Sequence, residues 1–275
     1  MVDFGELWRQ EAKARRAPDG PDAWDERARD AVTKYGPSEY SEEFLRLARL
    51  LPGETVLDMG CGAGALAVPC AQRGHDVLAA DFSPVMLARC AANVPADAPG
   101  TVNTKLLAWD DDWEAAGIAP KSFDVALASR SIATDDMEAA IAKLSRTARR
   151  KVCVTVVSGL SPRVSQPFFA DLGLTCRGHQ DAAFAFSIAC QLGFEPEASF
   201  IRSSRIDRFA TRDDALADYT KMLRFADEFG ESSVPADAEA QAAAWIDEHL
   251  LPDAAGGLYV DAPRTFRWAF IAWEV

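Results

Sequence analysis

Two acids and a run of glycines stand close together between Thr55 and Asp81, in TVLDMGCGAGALAVPCAQRGHDVLAAD. The apolar pair Val56-Leu57 leads into Asp58, and Gly60, Gly62 and Gly64 follow at alternate positions. A second apolar run, Val77 to Ala80, ends in Asp81. Alternate glycines let backbone approach a ligand where a Cβ would clash. A helix starting near Ala63 would aim free N–H groups into the same space. An acid at the tip of the second strand can accept both hydroxyls of a ribose. The stretch therefore reads as one nucleoside-binding half of a doubly wound sheet.

Two ligand classes compete for such a loop. Gly60 to Ala65 also satisfies G-x-G-x-x-A, which a dinucleotide tolerates, and that reading makes the chain an NAD(P)-dependent oxidoreductase. Asp58 opposes it, because a pyrophosphate there would meet a like charge that offsets the helix N-terminus. A ligand carrying an ammonium and a sulfonium is favoured by the same acid.

VLDMGCGAG followed by Asp81 resembles the S-adenosylmethionine (SAM) site of class I methyltransferases. The resemblance runs from about Glu39 to Val157, with a return at the C-terminus. It implies that Asp58, Gly60, Cys61, Gly62 and Gly64 hold the methionine part and that Asp81 holds the ribose. Phe82 and Met86 are placed to border the adenosine. Trp109 and Asp110 stand where many members carry Gly-Asp, at the adenine. Tyr40 lies where a residue meets the SAM carboxylate, and Ser129 ends the strand that faces the transferable methyl. No Asn/Asp-Pro-Pro-Tyr motif follows that strand, which argues against amino-methylation of bases or of glutamine. Pro69-Cys70 falls inside a helix, so a cytosine-C5 mechanism is unsupported. The implied activity is methyl transfer to a small-molecule acceptor. A non-catalytic SAM-binding protein stands as the alternative, since no general base is evident.

The elements that would position these residues follow in order. An amphipathic N-terminal segment, 3–35, puts Phe4, Leu7 and Trp8 on one face, breaks at Pro18 to Pro21, and resumes from Ala23 with Trp24. It serves as a cap or a lid. A helix from Ser41 to Leu51 precedes the first strand. Ser83-Pro84 starts a helix by capping and N1 placement. Thr101 to Leu107, Phe123 to Ser129 and Lys151 to Val157 supply further strands. Helices then span Gln180 to Leu192, a stretch capped by Thr211, and Ala236 to Leu250. Phe200 to Ile206 and Phe266 to Glu274 read as the last two strands. The expected fold is α/β: a doubly wound, mostly parallel seven-stranded sheet with a reversed C-terminal edge strand and a helical insertion. The expected divisions are a cap over 1–38, a core over 39–210, an insertion covering the substrate over 211–265, and the terminal strand over 266–275.

The chain of 275 residues carries a formal net charge of −13, which disfavours nucleic acid as partner. No apolar run is long enough to span a bilayer, and the first residues lack a signal-peptide apolar region, so a cytoplasmic location is expected. The cysteines at 61, 70, 90, 153, 176 and 190 form no C-x-x-C and pair with no histidine, so no metal site is expected. Cys70, Cys90 and Cys153 read as small buried hydrophobes, and Cys61 as a filler in the glycine turn. Arg130 and His179 are the candidates for acceptor chemistry: Arg130 to orient an anion, and His179 as a base. His75 is expected to face solvent, and His249 to sit near a helix end.

Overall fold

Val56–Met59 (β1) and Val77–Asp81 (β2) are short apolar runs, and β1 is buried along its whole length. Phe123–Ser129 (β4) has a central run buried on both faces, as a parallel strand inside a doubly wound sheet requires. Val102–Leu106 (β3) is more polar and more exposed, and it lies at the sheet edge. This computed structural model describes residues 2–14, 38–175, 178–228 and 234–275. Trp24 and Cys176 lie outside the described residues, as does the expected helical stretch around 23–35. The chain divides into two units: Met1–Val156 with Asp181–Ile201 and Ala269–Val275, and Val157–Gln180 with Arg202–Trp268.

The first unit is organised by the seven-stranded sheet, order β3-β2-β1-β4-β5-β10-β6, where β5 is Ala148–Ser158, β6 is Glu197–Arg205 and β10 is Arg264–Glu274. β1 pairs in parallel with both β2 and β4, β2 with β3, and β4 with β5. β10 is the antiparallel strand. It enters between β5 and β6, so β6 is the outermost strand on that side. Strand addition reverses at β1, which has β2 on one side and β4 on the other. Ligands of open α/β sheets bind at such a switch, beyond the carboxyl ends of the strands.

Local chemistry explains the helices. Phe4–Ala14 (α1) buries Trp8, whose indole N–H donates to the Thr134 carbonyl at 2.7 Å. Leu7 is 42% exposed, so the expected apolar face of α1 narrows to Trp8 and its neighbours. Adjacent residues lie about 100° apart on a helix, and only one can face the core squarely. Ser38 caps Glu39–Ala48 (α2) in a reciprocal box with Ser41. The helix after the glycine loop, Ala67–Gln72 (α3), starts later than Ala63. Gly64, at φ 92, holds the preceding residues in a turn. Pro69 then falls in the first turn of α3, where its missing N–H costs nothing. Ser83 caps Pro84–Asn93 (α4), and Asp136 caps Met137–Thr147 (α5). His75 is buried rather than solvent-facing, and its Nδ1 lies 3.0 Å from the Glu54 carbonyl. The turn at Gly100 covers it: a Cβ there would lie 2.2 Å from the His75 carbonyl oxygen.

The second unit contains Gln166–Asp171 (α6), a three-stranded antiparallel sheet of Arg208–Phe209 (β7), Leu258–Val260 (β9) and Leu250–Pro252 (β8), and helices Arg212–Glu228 (α8) and Ala238–His249 (α9). Asp181–Gln191 (α7) belongs to the first unit. The second unit thus draws on 157–180 as well as on residues around the expected insertion at 211–265. Its core packs Phe168, Tyr219 and Trp245 edge-on and stacked, with ring centroids 5.0 to 5.2 Å apart. Beside them Arg264 meets Asp207 at 2.6 Å, with side-chain exposures of 2% and 8%. The Tyr219 hydroxyl donates to the same carboxylate at 3.2 Å. Removing one partner of a buried pair leaves an uncompensated charge. Asp207→Ala is therefore expected to cost about 3–5 kcal/mol in urea melts. Asp207→Leu combined with Arg264→Met is expected to cost less than the single change.

Candidate active site

Asp58 is 1% exposed in β1, one residue short of the strand end. Its Oδ2 accepts the Ala67 N–H at 3.1 Å, at the start of α3. Its Oδ1 has no hydrogen-bond partner among the described residues. Burial, reinforced by the nearby Asp81 charge, raises its pKa to about 7, against the pull of the Ala67 N–H and Arg130. A buried carboxylate with one oxygen unsatisfied is a receptor for a cation that brings its own donors.

Asp81 is tied to the glycine loop. It accepts the Gly62 N–H at Oδ2 and the Ser83 N–H at Oδ1, both at 2.9 Å. Each oxygen keeps a second lone pair for a hydroxyl donor. Gly60 has φ 72, and a Cβ there would lie 2.3 Å from the Ser131 Cβ. Gly62 has φ 53 and open space where its Cβ would stand. The loop thus packs glycine against the β4 tip at one position and leaves a cradle at the next.

The remaining expected residues are distributed around this loop. Met86 is buried against Ala63, whose carbonyl accepts the Asn93 amide at 3.0 Å, and Phe82 is half-buried. Cys61 is 5% exposed, and its thiol donates to the Gly62 carbonyl at 3.4 Å. A hydrogen bond with the Cys90 thiol, then burial, pushes the Cys61 pKa up, so it is a filler rather than a nucleophile. Trp109 packs on Trp113 with centroids 5.6 Å apart, and Asp110 is exposed. Asp111 and Asp112 spend their carboxylates on backbone N–H groups of their own turn. Among the described residues no group of His, Cys, Asp and Glu is arranged to hold a metal.

Tyr40 is buried, and its hydroxyl bonds Ser129 Oγ at 2.8 Å and Thr155 Oγ1 at 2.6 Å. The hydroxyl expected to meet a ligand is therefore engaged at the tips of β4 and β5. Its ring carries the Arg130 guanidinium, 4.5 Å from the centroid. His179 lies in the second unit, where its N–H donates to the Gly159 carbonyl at 2.7 Å. The first unit gathers the other candidates without it.

Three contributors escaped the sequence reading. Thr155 was signalled only as the one hydroxyl in the run Val152 to Val157. Ser131 donates to the Met59 carbonyl at 2.7 Å and abuts Gly60. Lys143 on α5 donates to the carbonyls of Trp109 at 2.6 Å and Asp111 at 2.8 Å, with no local sequence signal.

Fold and loop together define a nucleoside-binding α/β protein whose site favours a cationic amino-acid tail. Comparison with known proteins agrees. Residues 56–151 match the family described as a methyltransferase domain. An uncharacterized protein of Haemophilus influenzae is 33% identical over 211 residues, covering 74% of this chain and 75% of that one. Nocamycin O-methyltransferase of Saccharothrix syringae is 37% identical over 102 residues, 36% of this chain and 35% of that one. A solved structure from Bacillus halodurans, of a proposed methyltransferase, shares the fold with a TM-score of 0.53 at 12% identity, over 86% of this chain and 99% of that one. The chain belongs to the class I SAM-dependent methyltransferases, and SAM is its cofactor. The residues fit that cofactor. Asp58 Oδ1 lacks a partner that an ammonium would supply, and the Gly62 cradle is a space that a side chain would fill.

Asp58 gives a pH dependence whose sign follows from its raised pKa. In the free protein the folded state holds the Asp58 proton more tightly than the unfolded chain does. Stability from this group is therefore highest in acid and is lost as pH rises from about 4 to about 7. Binding of an ammonium needs the ionised form. S-adenosylhomocysteine affinity is therefore expected to rise about tenfold between about pH 6 and about pH 8. Calorimetry at both pH values checks this, and Asp58→Asn should flatten the profile. Gly60→Ala should lower the thermal midpoint and weaken the same ligand, because its Cβ has no space beside Ser131.

Proposed function

We propose that the chain moves the SAM methyl group to a small-molecule acceptor by in-line displacement in the cytoplasm. The observation that carries this reading is the pair of strand-tip acids around one glycine loop. Asp58 is unsatisfied at Oδ1, and Asp81 is locked by the Gly62 and Ser83 N–H groups. The bound sulfonium supplies an electrophilic methyl carbon. The chain's own residues supply positioning, which can account for most of the acceleration in such a transfer. Asp58 would hold the ammonium, and Asp81 the ribose hydroxyls. Gly60, Cys61, Gly62 and Gly64 would line the methionine part, with Phe82, Met86, Trp109 and Asp110 toward the adenosine.

Support for a small acceptor comes from charge and from motif. A net charge of −13 repels polyanions. Ser129-Arg130-Ser131 stands at the β4 tip where an amino-methylating enzyme would carry Asn/Asp-Pro-Pro-Tyr. No helix among the described residues is long and apolar enough to cross a membrane. The S. syringae relative is named for O-methylation of nocamycin, which favours hydroxyl acceptors for the first trials.

Release of S-adenosylhomocysteine should be measured against small hydroxyl, carboxyl, amino and thiol compounds, beside transfer RNA, duplex DNA and denatured protein. Turnover confined to small molecules is expected. Turnover only with a macromolecule, or tight SAM binding with no turnover anywhere, would overturn the reading. Asp81→Ala should weaken S-adenosylhomocysteine about tenfold or more, because it strips the Gly62 and Ser83 N–H groups of their acceptor.

A further inference from the structure

The tripeptide Ser129-Arg130-Ser131 leaves β4 in an uncommon conformation. Arg130 has φ 60, in the left-handed region. Such a residue, without the freedom of glycine, persists only where its surroundings hold it, and these outliers cluster at ligand clamps. The other positive-φ arginine, Arg49, has an ordinary account as the C-cap of α2. No cap requires Arg130 to turn this way.

The turn is held on every side except at the arginine side chain. The Arg130 N–H donates to both the carbonyl and the hydroxyl oxygen of Thr155, each at 3.1 Å. Ser129 Oγ bonds the Tyr40 hydroxyl, and Ser131 Oγ donates to the Met59 carbonyl. The guanidinium reaches the exposed side of the turn and lies over the Tyr40 ring. Tyr40 is itself fixed by Ser129 and Thr155. Seen this way, the anchoring serves to present one cation in one place.

Its position matters because of what surrounds it. The tips of β1 and β2 carry Asp58 and Asp81, and the β4 tip carries Arg130. Arg130 is close enough to Asp58 to oppose the rise in its pKa. The Ser131–Gly60 contact shows that the β4 turn packs directly against the glycine loop. An amino acid carries its ammonium and carboxylate on one carbon, so receptors for the two must be neighbours. An acid with an unsatisfied oxygen beside a rigidly presented guanidinium meets that demand.

We infer that Arg130, braced on Tyr40, is a carboxylate receptor of this site. Resting on the reading above, it binds either the aminoacyl carboxylate of the cofactor or a carboxylate of the acceptor. The Tyr40 ring orients the fork, and the planar guanidinium supplies paired donors that a lysine ammonium cannot match.

Calorimetry on the full chain separates the two sources. One arm measures S-adenosylhomocysteine and its decarboxylated analogue on the wild type, Arg130→Lys, Arg130→Gln and Arg130→Gly. The other measures benzoate on each protein saturated with S-adenosylhomocysteine. Arg130→Gly is the informative variant, since glycine accepts φ 60 without strain and should keep the thermal midpoint. If the cofactor's carboxylate is bound, Arg130→Gln and Arg130→Gly weaken S-adenosylhomocysteine about tenfold or more. Arg130→Lys then weakens it less, and the decarboxylated analogue is unaffected. If the acceptor's carboxylate is bound, S-adenosylhomocysteine is unchanged, while benzoate binding seen on the wild type disappears in Arg130→Gln and Arg130→Gly. No change in either arm overturns the inference alone. A wild type that fails to bind S-adenosylhomocysteine overturns the site reading and this inference together.

Discussion

A carboxylate kept out of water with one oxygen unsatisfied is a costly thing for a fold to hold, and Asp58 is such a group. Its cost is relieved in part by the Ala67 N–H at the head of α3. The rest is left for a cation to relieve, and much of the first unit arranges that encounter. β1 must end where it does for Asp58 to reach α3. The glycine loop must turn through positive φ to open the space between them. Asp81 must come alongside from β2, and its charge deepens the penalty on Asp58. The methyltransferase site is in this sense a stored electrostatic deficit, partly filled by backbone N–H groups and completed by ligand.

The same economy appears in how backbone donors are used. The Gly62 and Ser83 N–H groups both end on Asp81, so the loop after β1 and the turn after β2 share one carboxylate. The loop is thereby set before any ligand arrives, which reduces the ordering that binding must impose. Lys143 does comparable work for Trp109 by holding two carbonyls of its loop from α5. Tyr40, Ser129 and Thr155 form a third such knot at the tips of β4 and β5. The second unit places its buried charge differently: Arg264 and Asp207 satisfy each other inside an aromatic core, and their pairing supports packing.

The strand–loop–helix order, the acids at the strand ends and the glycines in the turn were legible from residue type and spacing. These are local matters: hydrophobic period, the φ that only glycine takes without strain, and the capping chemistry of Ser83-Pro84 act over a few residues. Even there the first helix was placed early, because Gly64 was read as loop lining rather than as the residue that delays α3. His75 was read as exposed because its neighbours are turn residues. Its burial depends on the distant Gly100 turn that closes over it.

The sequence by itself determined the nucleotide-binding half, its two acids and the methyltransferase class, since each rests on backbone preferences and charges encoded within a single short stretch. Only the tertiary structure decided that Tyr40 would bond Thr155 across 115 positions, that Lys143 would clamp a loop 34 positions away, and that β10 would enter between β5 and β6. Those outcomes depend on which surfaces meet when the sheet assembles. A hydroxyl or an ammonium carries no mark of its partner until packing brings the two within hydrogen-bond reach.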